Sequence, residues 1–279
     1  MDKMLNLVSI QPVINSQDIL TQWSYYKSLI NNYLQTLPKN DFPTFVSLPE
    51  YALGNKQTYN EESINKVRDQ IATFAEEHHL NIVAGSHAHY EEQHWFNRAW
   101  LFDAENDKIY EYDKGHLFNF ELKNDITPGT KTGIFTINKI KIKILICSDL
   151  WFPEEIRTSL HEQLDLIIVP AMAVVQHKDF VDYGKTLWHS LAQTRSKENI
   201  IPLMVSDWAE QPVREAAYTC GSSCIVDPSQ RWTNKSDRSN YFTFMDKENE
   251  GFISKLISRE QVLEYRKYRR EVGLLPAID

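Results

Sequence analysis

A carboxylate, an ammonium and a thiol each stand just beyond an apolar, strand-like stretch of this 279-residue chain. Glu50 follows Phe45-Val46-Ser47-Leu48-Pro49, Lys114 follows Ile109-Tyr110-Glu111-Tyr112-Asp113, and Cys147 follows Lys143-Ile144-Leu145-Ile146. In open α/β sheets ligands gather beyond the carboxyl ends of strands, so all three stand where a site can form. Their chemistry is complementary. A thiol of pKa about 8.5 is mostly protonated at neutral pH. A carboxylate can take that proton, and an ammonium can stabilise both a thiolate and an oxyanion. The residue types alone leave open a second reading, a buried structural cysteine among solvated charges.

The elements that must position these residues alternate along the chain. Leu5–Ile10 reads as a buried strand. Ser16 is expected to cap a helix with Ile19, Trp23, Tyr26, Ile30 and Leu34 on one face. Thr44–Leu48 is a second strand. Ser63 opens a helix whose apolar face is Ile64, Val67, Ile71, Phe74 and Ala75. Strands follow at 81–85, 99–102 and 108–112, then an irregular connection from Asp113 to about Thr132. Lys141–Ile146 turns from alternating to continuously apolar, as a strand does when it becomes buried on both faces. Pro153 suits the first turn of a helix reaching about Gln163. Strands at 166–170, 201–206, 224–226 and 241–245, a helix at 186–199 and a charged helix near 259–270 complete the pattern. No linker or repeat interrupts it, so the expectation is one α/β domain spanning 1–279.

Composition narrows the function classes. The net charge is −8, from 30 Lys+Arg against 38 Asp+Glu, which speaks against binding a polyanion. No stretch approaches the roughly 18 apolar residues of a membrane helix, and the first residues lack the pattern of a signal peptide. The three cysteines do not make a disulfide scaffold. The expectation is a cytoplasmic protein with reduced thiols. Cys220 and Cys224 lack the two-residue spacing of a redox or zinc pair and read as buried hydrophobes. His78, His79, His87, His89 and His94 are spaced irregularly, without a cysteine or paired carboxylate, so no metal site is expected.

Cys147-Ser148-Asp149-Leu150-Trp151-Phe152-Pro153-Glu154 resembles the nucleophile segment of the carbon–nitrogen hydrolase (nitrilase) superfamily. Leu48-Pro49-Glu50 and Asp113-Lys114-Gly115-His116-Leu117-Phe118 are similar to the surroundings of that family's Glu and Lys. Asp165–Ala171, Arg195–Asn199 and Gly221–Pro228 resemble its later motifs, in order, along nearly the whole chain. The resemblance implies a four-layer α-β-β-α sandwich, a Glu-Lys-Cys triad and no metal or organic cofactor. It implies Cys147 as nucleophile, Glu50 as general base and later acid, and Lys114 with the Ser148 N–H as oxyanion donors. Lys114 is expected to favour the Cys147 thiolate. The implied substrate is a small amide, with a carbamoyl amide or a nitrile as alternatives for the same triad. A binding module that keeps the fold without catalysis is the alternative of another class. The resemblance also implies a homodimer or larger homo-oligomer, with the segment from about 255 to 279 as an interface arm; its basic run 266–270 therefore does not indicate nucleic acid.

Two positions depart from the family pattern. A second Glu commonly lies six residues before the Pro of a Pro-Gly pair. Here the pair is Pro128-Gly129, six back is Leu122, and Glu121 is the candidate one residue further. Several members carry Arg where this chain has Trp151, and that Arg helps bind a substrate carboxylate. Trp offers no guanidinium, so a neutral or aromatic acyl amide fits better, with Trp151 as a substrate contact or else a core aromatic. Met172, just past Pro170-Ala171, stands where members contact substrate; the alternative is a gap-filling core methionine.

Overall fold

The computed structural model describes residues 4–36, 42–159, 162–214, 216–229 and 241–275. In chain order the elements are β1 (Met4–Gln11), α1 (Ile19–Thr36), β2 (Thr44–Ser47), α2 (Glu61–His78), β3 (Leu80–Glu91), β4 (His94–Asp103), β5 (Lys108–Asp113) and α3 (Asn119–Leu122). There follow β6 (Ile134–Ile137), β7 (Ile140–Ile144), α4 (Glu154–Arg157), β8 (Leu166–Pro170), β9 (Val174–Val175), α5 (Val181–Asn199), β10 (Leu203–Ser206) and β11 (Pro212–Arg214). The last are β12 (Ala217–Thr219), β13 (Cys224–Val226), β14 (Phe242–Phe244), β15 (Gly251–Ser258) and α6 (Arg259–Glu271).

Two six-stranded sheets, ordered β15-β1-β2-β3-β4-β5 and β14-β13-β10-β8-β7-β6, carry the fold. Period-two alternation explains why their strands read as continuous apolar runs. In β1, Leu5 and Leu7 join the core shared with the second sheet, while Val8 and Ile10 join the core under α1 and α2. Ser9 points with Leu5 and Leu7, and its hydroxyl donates to Val205 O of β10 at 2.8 Å. The second sheet is covered by Ile156 of α4 and by Trp188 and Ala192 of α5. The layers are therefore α-β-β-α, as expected. A small sheet, β11-β12-β9, lies apart from the two large ones.

The helix starts differ from expectation. Asp18, not Ser16, caps α1 by accepting from Thr21 N at 2.9 Å; Ser16 accepts from Asp18 N. Asn60, not Ser63, caps α2, accepting from Ser63 N at 2.8 Å. In each case the carboxylate or amide oxygen meets an N–H three residues on, the preferred N-cap geometry. The buried face of α2 is the five residues expected. The helix after Pro153 ends at Arg157, and residues 160–161 of the longer helix expected there lie outside the described residues. The strand at β3 runs six residues beyond Gly85 and pairs with β4. The irregular connection contains α3. Of the C-terminal segment, Lys255–Ser258 belong to β15, which pairs with β1, and Val262, Tyr265 and Arg266 of α6 are buried on their own chain; 276–279 lie outside the described residues.

β2 runs parallel to β1 and β3, and β8 parallel to β7 and β10; the carboxyl ends of β2, β7, β8 and β10 lead to Glu50, Cys147, Met172 and Asp207. Lys114 directly follows β5.

Candidate active site

The turn that carries Glu50 is fixed by backbone contacts that leave no room for a side chain beneath it. Glu50 N donates to Ala171 O at 3.1 Å, and Ser86 N donates to Pro49 O at 3.3 Å. Gly85, at φ +67°, lies so close that a Cβ there would stand 2.0 Å from Pro49 O. Only glycine fits both the left-handed backbone and that approach. Trp208 Nε1 donates to Glu50 O at 2.9 Å. Lys114 is held through its backbone, N to Asn97 O at 2.9 Å and O from Gly129 N at 2.8 Å. Cys147 opens a 3-10 turn, Cys147–Trp151, in the left-handed region at φ 47°. A non-glycine residue held there is a local strain that the surrounding structure must impose.

These turns bring the side chains together. Lys114 Nζ is 2.7 Å from Glu50 Oε1 and 2.6 Å from Glu121 Oε2. Asn97 Nδ2 donates to both carboxylates, at 2.9 Å to Glu50 Oε1 and 2.7 Å to Glu121 Oε1. Tyr51 OH donates to Glu121 Oε1 at 2.9 Å, and Phe118 N to Glu121 Oε2 at 2.8 Å. Glu50, Lys114, Glu121 and Asn97 are all buried. The Cys147 thiol donates to Met172 O at 3.8 Å, and the Glu50 carboxylate and the Lys114 ammonium both act on its charge. The structure thus unites Glu50, Lys114, Cys147 and Glu121.

Burial and charge set the protonation of this group. For Lys114, burial opposes the charge, but Glu50 leads Cys147 and Glu121 in outweighing it, and the ammonium is held more firmly than usual. For Glu50, burial raises the pKa and the Glu121 charge adds to it, while Lys114 and the thiol pull it down; the net direction is up. Cys147 differs from expectation. Lys114 does favour its thiolate, but burial and the adjacent Glu50 carboxylate win, and the thiol is pushed well above its ordinary value. Burial and that carboxylate therefore favour the neutral thiol over the thiolate.

Sequence reasoning missed the residues that brace the site. Asp149 is fully buried and accepts from Ile146 N at 2.9 Å, His116 N at 2.7 Å and Tyr112 OH at 2.8 Å. It therefore ties the cysteine turn to the lysine loop. Asp207 accepts from Ala173 N at 3.0 Å and Ser222 N at 2.8 Å, and burial pushes its carboxyl up to about 7. On the opposite face of β4 from Asn97, Arg98 grips Asp113 through two donors at 2.7 and 3.0 Å, which anchors the strand end before Lys114. The readable signals were Asp two residues after Cys147 and Asp at the end of a predicted strand; Asn97 had none.

Of the remaining expected contacts, Ser148 Oγ donates to His116 O, and its N–H directly follows Cys147. Met172 is partly buried beside the site, with its carbonyl facing Cys147. Trp151 is 42% exposed, its ring edge-on to Trp188 at 6.1 Å. Among the described residues no group of three or more His, Cys, Asp and Glu could hold a metal ion. His87 is buried and its pKa lies well below the usual histidine value, chiefly through desolvation. Cys220 and Cys224 are buried thiols.

The family profile described as carbon-nitrogen hydrolase matches residues 25–240. The chain belongs to the carbon–nitrogen hydrolase family. It is 29% identical over 182 residues to the 2-oxoglutaramate amidase of Bacillus subtilis (strain 168), covering 64% of this chain and 66% of that enzyme. It is 24% identical over 268 residues to a probable nitrilase of Schizosaccharomyces pombe, covering 94% and 92%. The crystal structure of Saccharomyces cerevisiae Nit3, of branch 10 of the nitrilase superfamily, superposes with a TM-score of 0.77 at 20% identity, covering 98% and 96%. That likeness places this carbon–nitrogen hydrolase in the nitrilase fold. No helix among the described residues is long and apolar enough to cross a membrane.

Proposed function

We propose that this carbon–nitrogen hydrolase cleaves a non-peptide C–N bond of a small amide through a covalent thioester on Cys147. Glu50 takes the thiol proton as Sγ attacks the carbonyl carbon. The oxyanion that forms is met by Lys114 Nζ and the Ser148 N–H. Glu50 returns the proton to the leaving ammonia or amine as the C–N bond breaks. Water then hydrolyses the thioester, giving up its proton to Glu50, and the thiol is restored. Glu121 has a positioning part: it holds Lys114 together with Glu50. One observation carries the reading, the buried Lys114 ammonium gripped at 2.7 and 2.6 Å by two carboxylates, Glu50 and Glu121.

A neutral resting thiol suits this mechanism, since proton removal coupled to attack needs Glu50 ionised and beside Sγ. The amidase named among the relatives supports an amide over a nitrile. The same reading assigns the chain to a reducing compartment such as the cytoplasm, where Cys147 stays a thiol, and to a homodimer or larger assembly, which sedimentation of the native protein measures. The decisive experiment is ammonia release over a panel of amides, carbamoyl amides and nitriles. Cys147→Ala is expected to abolish release and to remove a covalent adduct that mass spectrometry finds on the native chain. Glu121→Gln is expected to cut kcat by about 100-fold or more, as loss of an oriented electrostatic group does. Full turnover by Cys147→Ala would sink the mechanism, and no release from any substrate together with an unreactive Cys147 would favour a binding module.

A further inference from the structure

Beside the triad lies a cavity of about 450 Å³, within the size range that holds a small molecule. Four of its lining residues connect it to the reacting groups. Tyr51 follows Glu50, and Phe120 precedes Glu121. Met172 turns its carbonyl to Cys147 Sγ, and the Trp208 indole donates to Glu50 O. Ile14 and Val213 extend the apolar wall. None of the described lining residues carries an ionised side chain.

Several of its polar groups are engaged with the protein. Tyr51 OH donates to Glu121, Thr58 Oγ1 to Asn55 O and Gln22 Nε2 to Val13 O. Gln22 Oε1 accepts from Asn15 N and Ser16 N. The start of α1, at Ser16 and Gln17 of the rim, would attract an anion, but the Asp18 carboxylate already accepts from its Thr21 N. The cation between the lining residues Asn55 and Gln57 is turned elsewhere: Lys56 Nζ donates to Asn124 O.

We infer that the acyl side of the substrate is a neutral, apolar chain, and that acyl groups ending in a carboxylate or an ammonium are excluded. This rests on the triad reading above and adds the substrate class. A charge taken into this cavity would leave water without an opposite charge in the lining to pair with, whereas each methylene gains from leaving water.

The test is kcat/KM of the full chain for acetamide, butyramide and hexanamide, set against succinamate and 4-aminobutyramide. Each added methylene is expected to raise kcat/KM about fourfold. Either terminal charge is expected to lower it about 100-fold or more against butyramide, the cost of an unpaired charge leaving water. Ile14→Arg is expected to recover succinamate turnover and not 4-aminobutyramide turnover. A flat series, or succinamate within tenfold of butyramide, overturns the inference while the triad stands, provided iodoacetamide still labels Cys147. An inert panel together with an unlabelled Cys147 overturns the triad reading, and this inference falls with it.

Discussion

Truncating Asp149 tests how the cysteine turn is held. Asp149→Ala orphans two buried donors, Ile146 N–H and Tyr112 O–H, and the part-buried His116 N–H, now bonded at 2.7–2.9 Å. Each buried unpaired donor costs about 1–3 kcal/mol. Burial also pushes the Asp149 carboxyl above its usual range, so removing the charge returns part of that cost. Three orphans outweigh it, and a net loss of about 3–5 kcal/mol is expected. Asp149→Asn keeps the shape and one acceptor oxygen, so its amide faces at least one donor; about 1–3 kcal/mol is expected. Tyr112→Phe removes one donor of the three, so Asp149→Ala should cost less in that background, with the difference read as a double-mutant cycle. The assay is urea unfolding at pH 7 followed by tryptophan fluorescence, with the iodoacetamide labelling rate of Cys147 measured on the same samples. A displacement of the thiol by about 1 Å would cut turnover on the order of 100-fold. If Asp149→Ala stays within 1 kcal/mol of the native chain and labels at the native rate, the bracing of the cysteine turn by this carboxylate is refuted.

Gly85→Ala forces a Cβ to 2.0 Å from Pro49 O on a left-handed backbone; a loss of about 1–3 kcal/mol and a larger fall in kcat than in affinity are expected, because the displaced turn carries Glu50. A native-like kcat would contradict the tight seat described for that turn. Asp207 gives a pH signature. Burial lifts its pKa from 3.8 to about 7, so the folded chain holds this proton more tightly than the unfolded one. The stability that follows is fully present below pH 4 and is lost as pH rises through 7, by about 4 kcal/mol for a shift of this size. Asp207→Asn is therefore expected to lose less stability than the native chain between pH 5 and 8 in urea titrations, and parallel curves would refute the assignment.

Much of the scaffold was legible because short-range patterns specify it. The α2 face reads directly from apolar spacing, and the strands at β1, β8 and β13 from short apolar runs. β6 escaped because Ile134–Ile137 is brief and half exposed, although its hairpin partner follows Asn138 and Lys139, both at positive φ. β15 escaped because Lys255 interrupts it, and only pairing with β1 makes it a strand.

Residue types left a buried structural cysteine open, and it was the resemblance to the carbon–nitrogen hydrolase motifs that singled out Glu50, Lys114 and Cys147, each beyond a strand whose local pattern is plain. What they could not settle depends on groups far apart in the chain. The Lys114–Glu50 contact joins residues 64 positions apart, and Asn97 meets Glu50 across 47. Glu121 is a shifted position in the sequence and a 2.6 Å partner of Lys114 in space, because α3 turns it back into the site. The charge on the thiol shows the division best. The sequence places an ammonium among its partners and favours a thiolate; burial, which no local pattern encodes, pushes the thiol pKa up instead.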